Sequence, residues 1–387
     1  MKNEVLLRPV WAEINLDNLK KNYKTVRKII GKRKLIAVVK SNAYGHGSVE
    51  IAKELENLGA DYLAVRNLEE GVELRSEGIE KPILIMGYVF PKQVNYIVEF
   101  SLTPTILSFD FAEELEKFLE TYGEKIKVHI KIDTGMGRLG IPYKDSVEFI
   151  KEIKKLKNIE IEGLYSHFST ADEEDKSFTE EQFKRFMYVV DKLEKEGIEI
   201  PLKHIGNSAT VIDLPKFSLD GVRVGIMLYG LRPSSFVREI KLHPVMSIRA
   251  KIVFLKRVDK GTPISYGRKF YTQRESIIAT IPMGYSDGYP RALTNIGEVI
   301  VRGKRVRVAG RVCMGKFMID VTEIPDLRVG DEVTIIGRDG EEEITATEIA
   351  EKLDTINYEI VSRISKSVPR VYIKEGKPTK IVSFLDG

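Results

Sequence analysis

Five apolar residues, Leu35 to Val39, run straight into Lys40, and the chain then turns polar and glycine-rich from Ser41 to Gly47. A short continuous apolar run bounded by turn signals reads as a strand buried on both faces. Lys40 therefore closes a strand and opens a loop, where α/β proteins place their chemistry. An amine half-removed from water has its pKa pulled down, which suits Schiff-base or general-base work. Taken alone, the same lysine could simply extend its ammonium from the sheet end into water. Four more apolar runs end in chemistry-bearing residues: Asp133 to Arg138 in a glycine-rich turn, Tyr165-Ser166-His167, His204 to Ser208, and Arg223-Val224-Gly225. If these strands are parallel neighbours, a lysine, two arginines and a histidine share one mouth with small, hydroxyl-bearing turns.

The alternation needed to position them is present. Short apolar runs lie at Leu35–Val39, Tyr62–Val65, Ile83–Met86, Leu102–Thr105, Lys127–Ile132, Ile159–Tyr165, Leu202–Ile205 and Val222–Val224. Helical spacing precedes them at Leu16–Ile30 and separates them at Val49–Leu58, Phe111–Leu119 and Phe183–Leu193. Parallel strands require such crossovers, so eight of them predict an α/β fold, a (β/α)₈ TIM-like barrel over residues 14–240. Past Lys241 the texture changes to β-branched runs divided by glycine and aspartate turns: Ile248–Leu255, Ser276–Ile281, Glu298–Val301, Val306–Val308, Phe317–Val321 and Glu332–Ile336. This predicts a C-terminal, mostly antiparallel β domain over 241–387, joined by strands from the N-terminal residues 1–13, read at Val5–Leu7 and Trp11–Ile14.

Composition narrows the class. The 387 residues are 43% hydrophobic and 30% charged, as in a globular protein with ample core. Basic and acidic residues, 61 against 57, are well mixed and leave a net charge of +4, too little for a nucleic-acid footprint. No run of 18 apolar residues spans a membrane, and the N-terminus lacks the apolar core of a signal peptide. Cys313 is the only cysteine, which excludes an intrachain disulfide and a cysteine metal cluster. The five histidines lack metal-ligand spacing. A cytoplasmic, metal-free protein is the expectation.

Barrel phosphate sites use the loops after the seventh and eighth strands and a helix N-terminus, where Ser208 and the Gly225–Ile226 amides fall. A lysine facing a phosphate cup suits pyridoxal 5′-phosphate, PLP. The motifs A-V-V-K-S-N-A-Y-G-H-G at 37–47, K-I-D-T-G-M-G-R-L-G at 131–140, G-N-S-A-T at 206–210 and R-V-G-I-M-L-Y-G at 223–230 stand in order with S-Y-G at 265–267. G-Y-S-D-G-Y-P-R at 284–291, R-V-C-M at 311–314 and T-I-N-Y-E at 355–359 continue the series over nearly the whole chain. In these motifs the chain resembles the alanine racemases, PLP-dependent barrel enzymes that interconvert L- and D-alanine.

The resemblance implies a role for each matching residue. Lys40 falls on the lysine that binds PLP and, once freed, serves as the base for D-alanine. Tyr266 falls on the opposing base, which serves L-alanine; racemisation needs one group on each face of the α-carbon. Arg223 would face the pyridine nitrogen with His167 in support, and because a guanidinium keeps its proton the ring nitrogen stays unprotonated, which disfavours transamination. Tyr44, Ser208, Gly225, Ile226 and Tyr358 match the phosphate cup, and Asn207 joins the cofactor-binding set. Arg138 would contact the cofactor's phenolic oxygen and the substrate carboxylate, with Lys131 matching a lysine often carbamylated to position it. The Met314 backbone N–H would meet the carboxylate, and Asp172, Tyr285, Arg291 and Arg311 match the substrate's way in. Tyr266 and Met314 would reach the site from a partner, so a head-to-tail homodimer with composite sites is implied, supplying D-alanine for peptidoglycan.

One departure stands out. The family reads R-V-C-M-D-Q where this chain has Gly315 and Lys316 after Met314. The missing aspartate predicts a relaxed side-chain preference that admits serine. Cys313 reads as a buried apolar residue, and His46, His129, His204 and His243 as structural or surface residues. Rival readings are a PLP decarboxylase of the same barrel type and a non-catalytic PLP-binding protein. Arg223 speaks against the first, because such decarboxylases put an acid at the pyridine nitrogen, and the Tyr266-bearing β domain speaks against the second.

Overall fold

A computed structural model describes residues 8–383. The chain forms two compact units, one made of residues 20–43 and 48–242, the other of residues up to 19, 44–47 and 243 onward.

In the order of the chain, β1 is Val10–Asn15, β2 Lys34–Val38, β3 Tyr62–Val65, β4 Ile83–Ile85, β5 Thr103–Ile106, β6 Ile126–Asp133, β7 Ile141–Pro142, β8 Ile159–Tyr165, β9 Leu202–Gly206 and β10 Gly221–Val224. Strands β2 to β6 and β8 to β10 pair in parallel in the order β5-β4-β3-β2-β10-β9-β8-β6, and a β5–β6 pairing closes the barrel. The two-residue β7 adds to the end of β6. The predicted barrel is therefore the observed one. Both faces of its strands are covered: every residue of β3 and β10, Arg223 included, is buried. The helix Phe109–Tyr122 shows how the outer layer forms. Ser108 caps its N-terminus by accepting from the Phe111 N–H, and Phe111, Leu115 and Leu119 recur every fourth residue on its buried face. Each of those side chains contributes about 1.5–3 kcal/mol through burial.

The second unit contains β1 and the strands β11 Met246–Lys251, β12 Phe254–Val258, β13 Pro263–Ile264, β14 Phe270–Tyr271, β15 Ser276–Ile281, β16 Glu298–Val301, β17 Lys304–Arg307, β18 Phe317–Asp320, β19 Glu332–Asp339, β20 Glu342–Ile344, β21 Arg370–Lys374 and β22 Lys377–Val382. The main sheet runs β17-β16-β19-β11-β1-β21-β22, with β20 on β19, and a second sheet runs β12-β15-β18. All its pairings are antiparallel except β1 with β21, as a mostly antiparallel domain requires. The expected strand from Trp11 is β1, held between β11 and β21; the expected Val5–Leu7 strand lies outside the described residues.

Residues 44–47 belong to this unit because Arg370 holds them. Its buried guanidinium donates to the Gly45 carbonyl at 2.8 and 3.2 Å and to the carbonyls of Ile364, Ser365 and Val368. Gly45 must be glycine there, since a Cβ would stand 2.1 Å from the Val361 oxygen at a backbone φ of +84°.

Candidate active site

Lys40 follows β2 at the carboxyl end of the barrel strands, as its sequence position implies. The backbone beyond it has an unusual shape. Ser41, Asn42, Ala43 and Tyr44 have φ of 54, 54, 51 and 52°, a left-handed turn made of four non-glycine residues. Such backbone costs on the order of 1–2 kcal/mol per residue for L-amino acids, and it persists only where surrounding contacts hold it. Here the Ala43 N–H reaches the Val39 carbonyl at 2.9 Å, the Ser41 N–H reaches Glu70 Oε1 at 2.7 Å, and Asn42 Oδ1 accepts from the Ser48 N–H at 3.0 Å. The other oxygen of Glu70 accepts from the Arg66 N–H at 2.8 Å, so one carboxylate ties the turn after β2 to the turn after β3. Sequence reasoning missed Glu70; its only local signal is a place in the first helical turn after β3. Replacing Glu70 by alanine is expected to cost about 1.5–3 kcal/mol, the worth of hydrogen bonds to a charged acceptor, read as a lower denaturation midpoint.

The electrostatics of Lys40 follow from its surroundings. Burial lowers its pKa, the positive charges of Arg138, Arg223 and Arg66 lower it further, and Glu70 opposes them. Lys131, on β6, is brought down to about 8 by burial and by Arg223, Arg138 and Lys40, with Asp133 opposing. Asp133 also shapes the glycine turn that carries Arg138, accepting from the Gly135 N–H at 2.9 Å and the Gly137 N–H at 3.1 Å.

Arg223, on β10, is 4% exposed. It donates to His204 Nδ1 at 2.8 Å, His167 Nδ1 at 3.1 Å, and the carbonyls of Ser166 and His204 at 2.5 and 2.9 Å. Its guanidinium carbon lies 4.9 Å from the centre of the Tyr165 ring. Burial brings Arg223 down to about 10, which leaves it charged at neutral pH. Burial and the charges of Arg223, Lys131, Arg138 and Lys40 hold His167 well below the usual imidazole range, so it accepts from Arg223 as a neutral ring. Lys40, Lys131, Arg138, His167 and Arg223 lie near enough at the strand ends for their charges to act on one another.

After β9, Asn207 caps the helix Ser208–Asp213, its side-chain oxygen accepting from the Ala209 and Thr210 N–H groups at 3.0 and 3.1 Å. Ser208 Oγ accepts from the Gly225 N–H at 3.2 Å, which joins the turns after β9 and β10, and Ile226 follows, fully buried. In the other unit the rings of Tyr44 and Tyr358 lie 6.1 Å apart, the latter on the helix Asn357–Ser362.

That unit also assembles a set of loops around Tyr266. Ser265, at φ 66°, donates to the Arg311 carbonyl at 2.6 Å and lies 3.4 Å from Cys313 Sγ. Cys313 is half-buried, more open than a core residue. The Tyr285 N–H bonds the Cys313 carbonyl at 3.1 Å, and Ser286 bonds the Met314 carbonyl through both its N–H and its hydroxyl. Thr294 links the Arg291 carbonyl to the Val312 N–H. Tyr266 and Met314 are 70% and 64% exposed on these loops, while Asp172 lies in the barrel unit with its carbonyl held by Ser234. Among the described residues, no cluster of three or more His, Cys, Asp or Glu side chains could hold a metal ion, and no helix is long and apolar enough to cross a membrane.

A closed parallel barrel that gathers a partly desolvated lysine, two arginines and a neutral histidine at its strand ends defines a barrel enzyme with its chemistry at the carboxyl face. Comparison with known proteins refines the class. The family model described as "Alanine racemase, N-terminal domain" matches residues 14–233, and "Alanine racemase, C-terminal domain" matches 245–372. An alanine racemase of Halothermothrix orenii is 52% identical over 372 residues, covering 96% of this chain and 98% of its own. The solved alanine racemase of Clostridium difficile superposes with a TM-score of 0.94 at 41% identity, covering 98% of this chain and all of the other. A histidine racemase from Leuconostoc mesenteroides superposes with a TM-score of 0.89 at 27% identity, covering 96% of this chain and 99% of its own. The chain belongs to the alanine racemase family of isomerases.

Proposed function

We propose that this enzyme interconverts L- and D-alanine with PLP bound through Lys40, using Lys40 Nζ and Tyr266 Oη as acid–base groups on opposite faces of the substrate. The observation that carries this reading is the Lys40 amine, placed at a strand end where burial and the charges of Arg138 and Arg223 favour its uncharged form. The donor set fits PLP: an amine able to shed its proton for a covalent bond, a charged guanidinium for an aromatic nitrogen, and a hydroxyl-and-amide turn at Ser208 and Gly225 for a phosphate. When bound, PLP supplies an electron sink that makes the α-proton of an attached amino acid acidic. Lys40 Nζ takes or returns that proton on one face, and Tyr266 Oη does so on the other. Arg138 and the Met314 N–H orient the substrate carboxylate, while Arg223, with His167 behind it, donates to the pyridine nitrogen. Tyr44, Tyr358, Asn207, Ser208, Gly225 and Ile226 hold the phosphate end, and Asp172, Tyr285, Arg291 and Arg311 line the way in. The exposure of Tyr266 and Met314 supports their service to a partner subunit in a head-to-tail homodimer, with the β domain of 241–387 and 1–13 reaching the partner's barrel of 14–240. The D-alanine formed in the cytoplasm serves peptidoglycan. The test is incubation with L-alanine in deuterated water: D-alanine labelled at the α-carbon is expected, and PLP binding without racemisation overturns the reading.

The lowered value of Lys131 supports its carbamylation, because only an uncharged amine adds carbon dioxide. Incorporation of ¹³C-bicarbonate is expected to rise as pH passes upward through about 8 and to vanish in Lys131→Arg. The same shift makes a linkage statement. The folded value lies below the ordinary lysine value of 10.5, so the burial penalty is complete below about 8 and is relieved as pH rises from there.

Gly315 supports a relaxed substrate range that admits serine, since a Cβ built there meets nothing within 4 Å. A histidine racemase of the same fold also supports this reading, because that protein's named substrate carries more than a methyl group. Gly315→Asp, which restores the family residue, is expected to fold and to lower the serine-to-alanine ratio of kcat/KM on the order of tenfold, the scale of one pocket group. Equal ratios in the two proteins would remove this reading.

A further inference from the structure

Behind Arg223 a line of polar side chains runs into the barrel core. His204 Nδ1 lies 2.8 Å from Arg223 Nη1, His204 Nε2 lies 2.9 Å from His129 Nδ1, and His129 Nε2 lies 3.5 Å from Glu162 Oε2. Both imidazoles are fully buried, and His129 Nε2 makes no hydrogen bond among the described residues, facing Glu162 Oε2 across an ion-pair distance. Glu162 is itself held by the Tyr62 hydroxyl and by Lys127 Nζ at 2.9 Å.

The donors and acceptors give this line a single direction. A guanidinium only donates, so His204 Nδ1 must accept and its proton sits on Nε2. That proton goes to His129 Nδ1, which leaves the His129 proton on Nε2, facing a carboxylate that only accepts. Protonating either ring would aim one N–H at another donor. Two neutral Nε2–H rings between a cation and an anion are thus the one arrangement without a clash.

The backbone is shaped to make this line. Val128 pairs with Ile161 but His129 with Gly163, so Glu162 is the extra residue of a β-bulge, the device that re-aims a side chain. A Cβ on Gly163 would stand 2.4 Å from His129 Nδ1, so only glycine admits the ring there. The Tyr165 ring stacks on His204 at 4.9 Å and 7°, and its hydroxyl is fixed 2.9 Å from Thr105 Oγ1.

We propose that Glu162, His129 and His204 are positioning residues for Arg223: a one-way line of two hydrogen bonds closed by a histidine–carboxylate contact on the bulge, which fixes the tautomer of each imidazole and holds the guanidinium aimed at the barrel mouth. Its consequence for catalysis rests on the reading above, in which Arg223 meets the pyridine nitrogen. Burial and the Arg223 charge keep both histidines in the neutral form that the line needs. Burial pushes the Glu162 carboxyl up, but the nearby His129 and the bonds from Tyr62 and Lys127 outweigh this and hold it ionised, at about 2.

The test is ¹⁵N NMR of the full-length, PLP-loaded enzyme labelled at histidine, in wild type, Glu162→Gln, Glu162→Leu and Tyr62→Phe. Wild type is expected to show His129 and His204 as neutral Nε2–H tautomers. Glu162→Leu is expected to move the His204 resonances and lower kcat by roughly 10–100-fold, the usual scale for outer-shell partners, with KM for alanine little changed. Glu162→Gln keeps an acceptor and is expected to restore part of both. If Glu162→Leu does not fold, Tyr62→Phe, which frees one side of the carboxylate, is expected to give the same shift in smaller measure. An Nδ1–H tautomer at His204 in wild type, or a folded Glu162→Leu with His204 shifts and kcat intact, overturns the proposal. The resonances still decide it if the enzyme proves to racemise nothing.

Discussion

Replacing Lys40 by alanine is expected to abolish racemisation and the yellow colour of bound PLP together. A positioned acid–base group alone is worth about 10²–10⁴-fold, and here the covalent attachment goes with it, so the loss should exceed that range. The fold should survive. The Lys40 ammonium is partly desolvated and crowded by the charges of Arg138, Arg223 and Arg66, so removing it relieves an unfavourable term. The variant should therefore match or exceed wild type in chemical denaturation, the usual sign of a residue kept for activity at the expense of stability. Added methylamine, which can stand in for the lost amine as a base, should recover a fraction of the rate. A variant that racemises at the wild-type rate would dismiss Lys40 as the anchoring amine.

Tyr266→Phe should behave differently. It keeps Lys40 and hence the colour, but loses the second acid–base group, so racemisation should fall by roughly 10²–10⁴-fold. Stability of the folded subunit should change by less than about 0.5 kcal/mol, because within its own chain the side chain is 70% exposed. The decisive readout is the asymmetry of exchange. In deuterated water the variant should still exchange the α-proton of D-alanine through Lys40, without inverting it, while exchange from L-alanine should be lost. Equal residual exchange from both enantiomers would mean that a single group serves both faces. Since the proposed base comes from the partner, mixing Lys40→Ala with Tyr266→Phe chains should create one intact site per heterodimer and restore part of the activity.

Much of this architecture is local enough to read from the chain. The helix Leu16–Ile30 and the strands Ile159–Tyr165, Ser276–Ile281 and Glu298–Val301 stand at their expected bounds, because apolar periodicity and turn residues act over a few neighbours. Lys40, Arg138, His167 and Arg223 were identifiable as strand-end residues for the same reason, and a parallel barrel brings all its strand ends to one face. Four sequence-distant residues therefore come to one end of the barrel once the strand count is known.

What only the tertiary structure decided depends on contacts between distant segments. The left-handed turn Ser41–Tyr44 carries no glycine to announce it; it exists because Glu70, Asn42 and Ser48 hold it against its own preference. Tyr44–Gly47 join the C-terminal unit because Arg370, more than three hundred residues on, collects their carbonyl. The helices Ala346–Lys352 and Asn357–Ser362 escaped detection because six or seven residues span too few turns to show a period. His129 and His204 read as bland core residues until strand register placed them in line behind Arg223. Register is set by pairing across the sheet, and the single extra residue at Glu162, invisible in any one strand, decides which way that carboxylate faces.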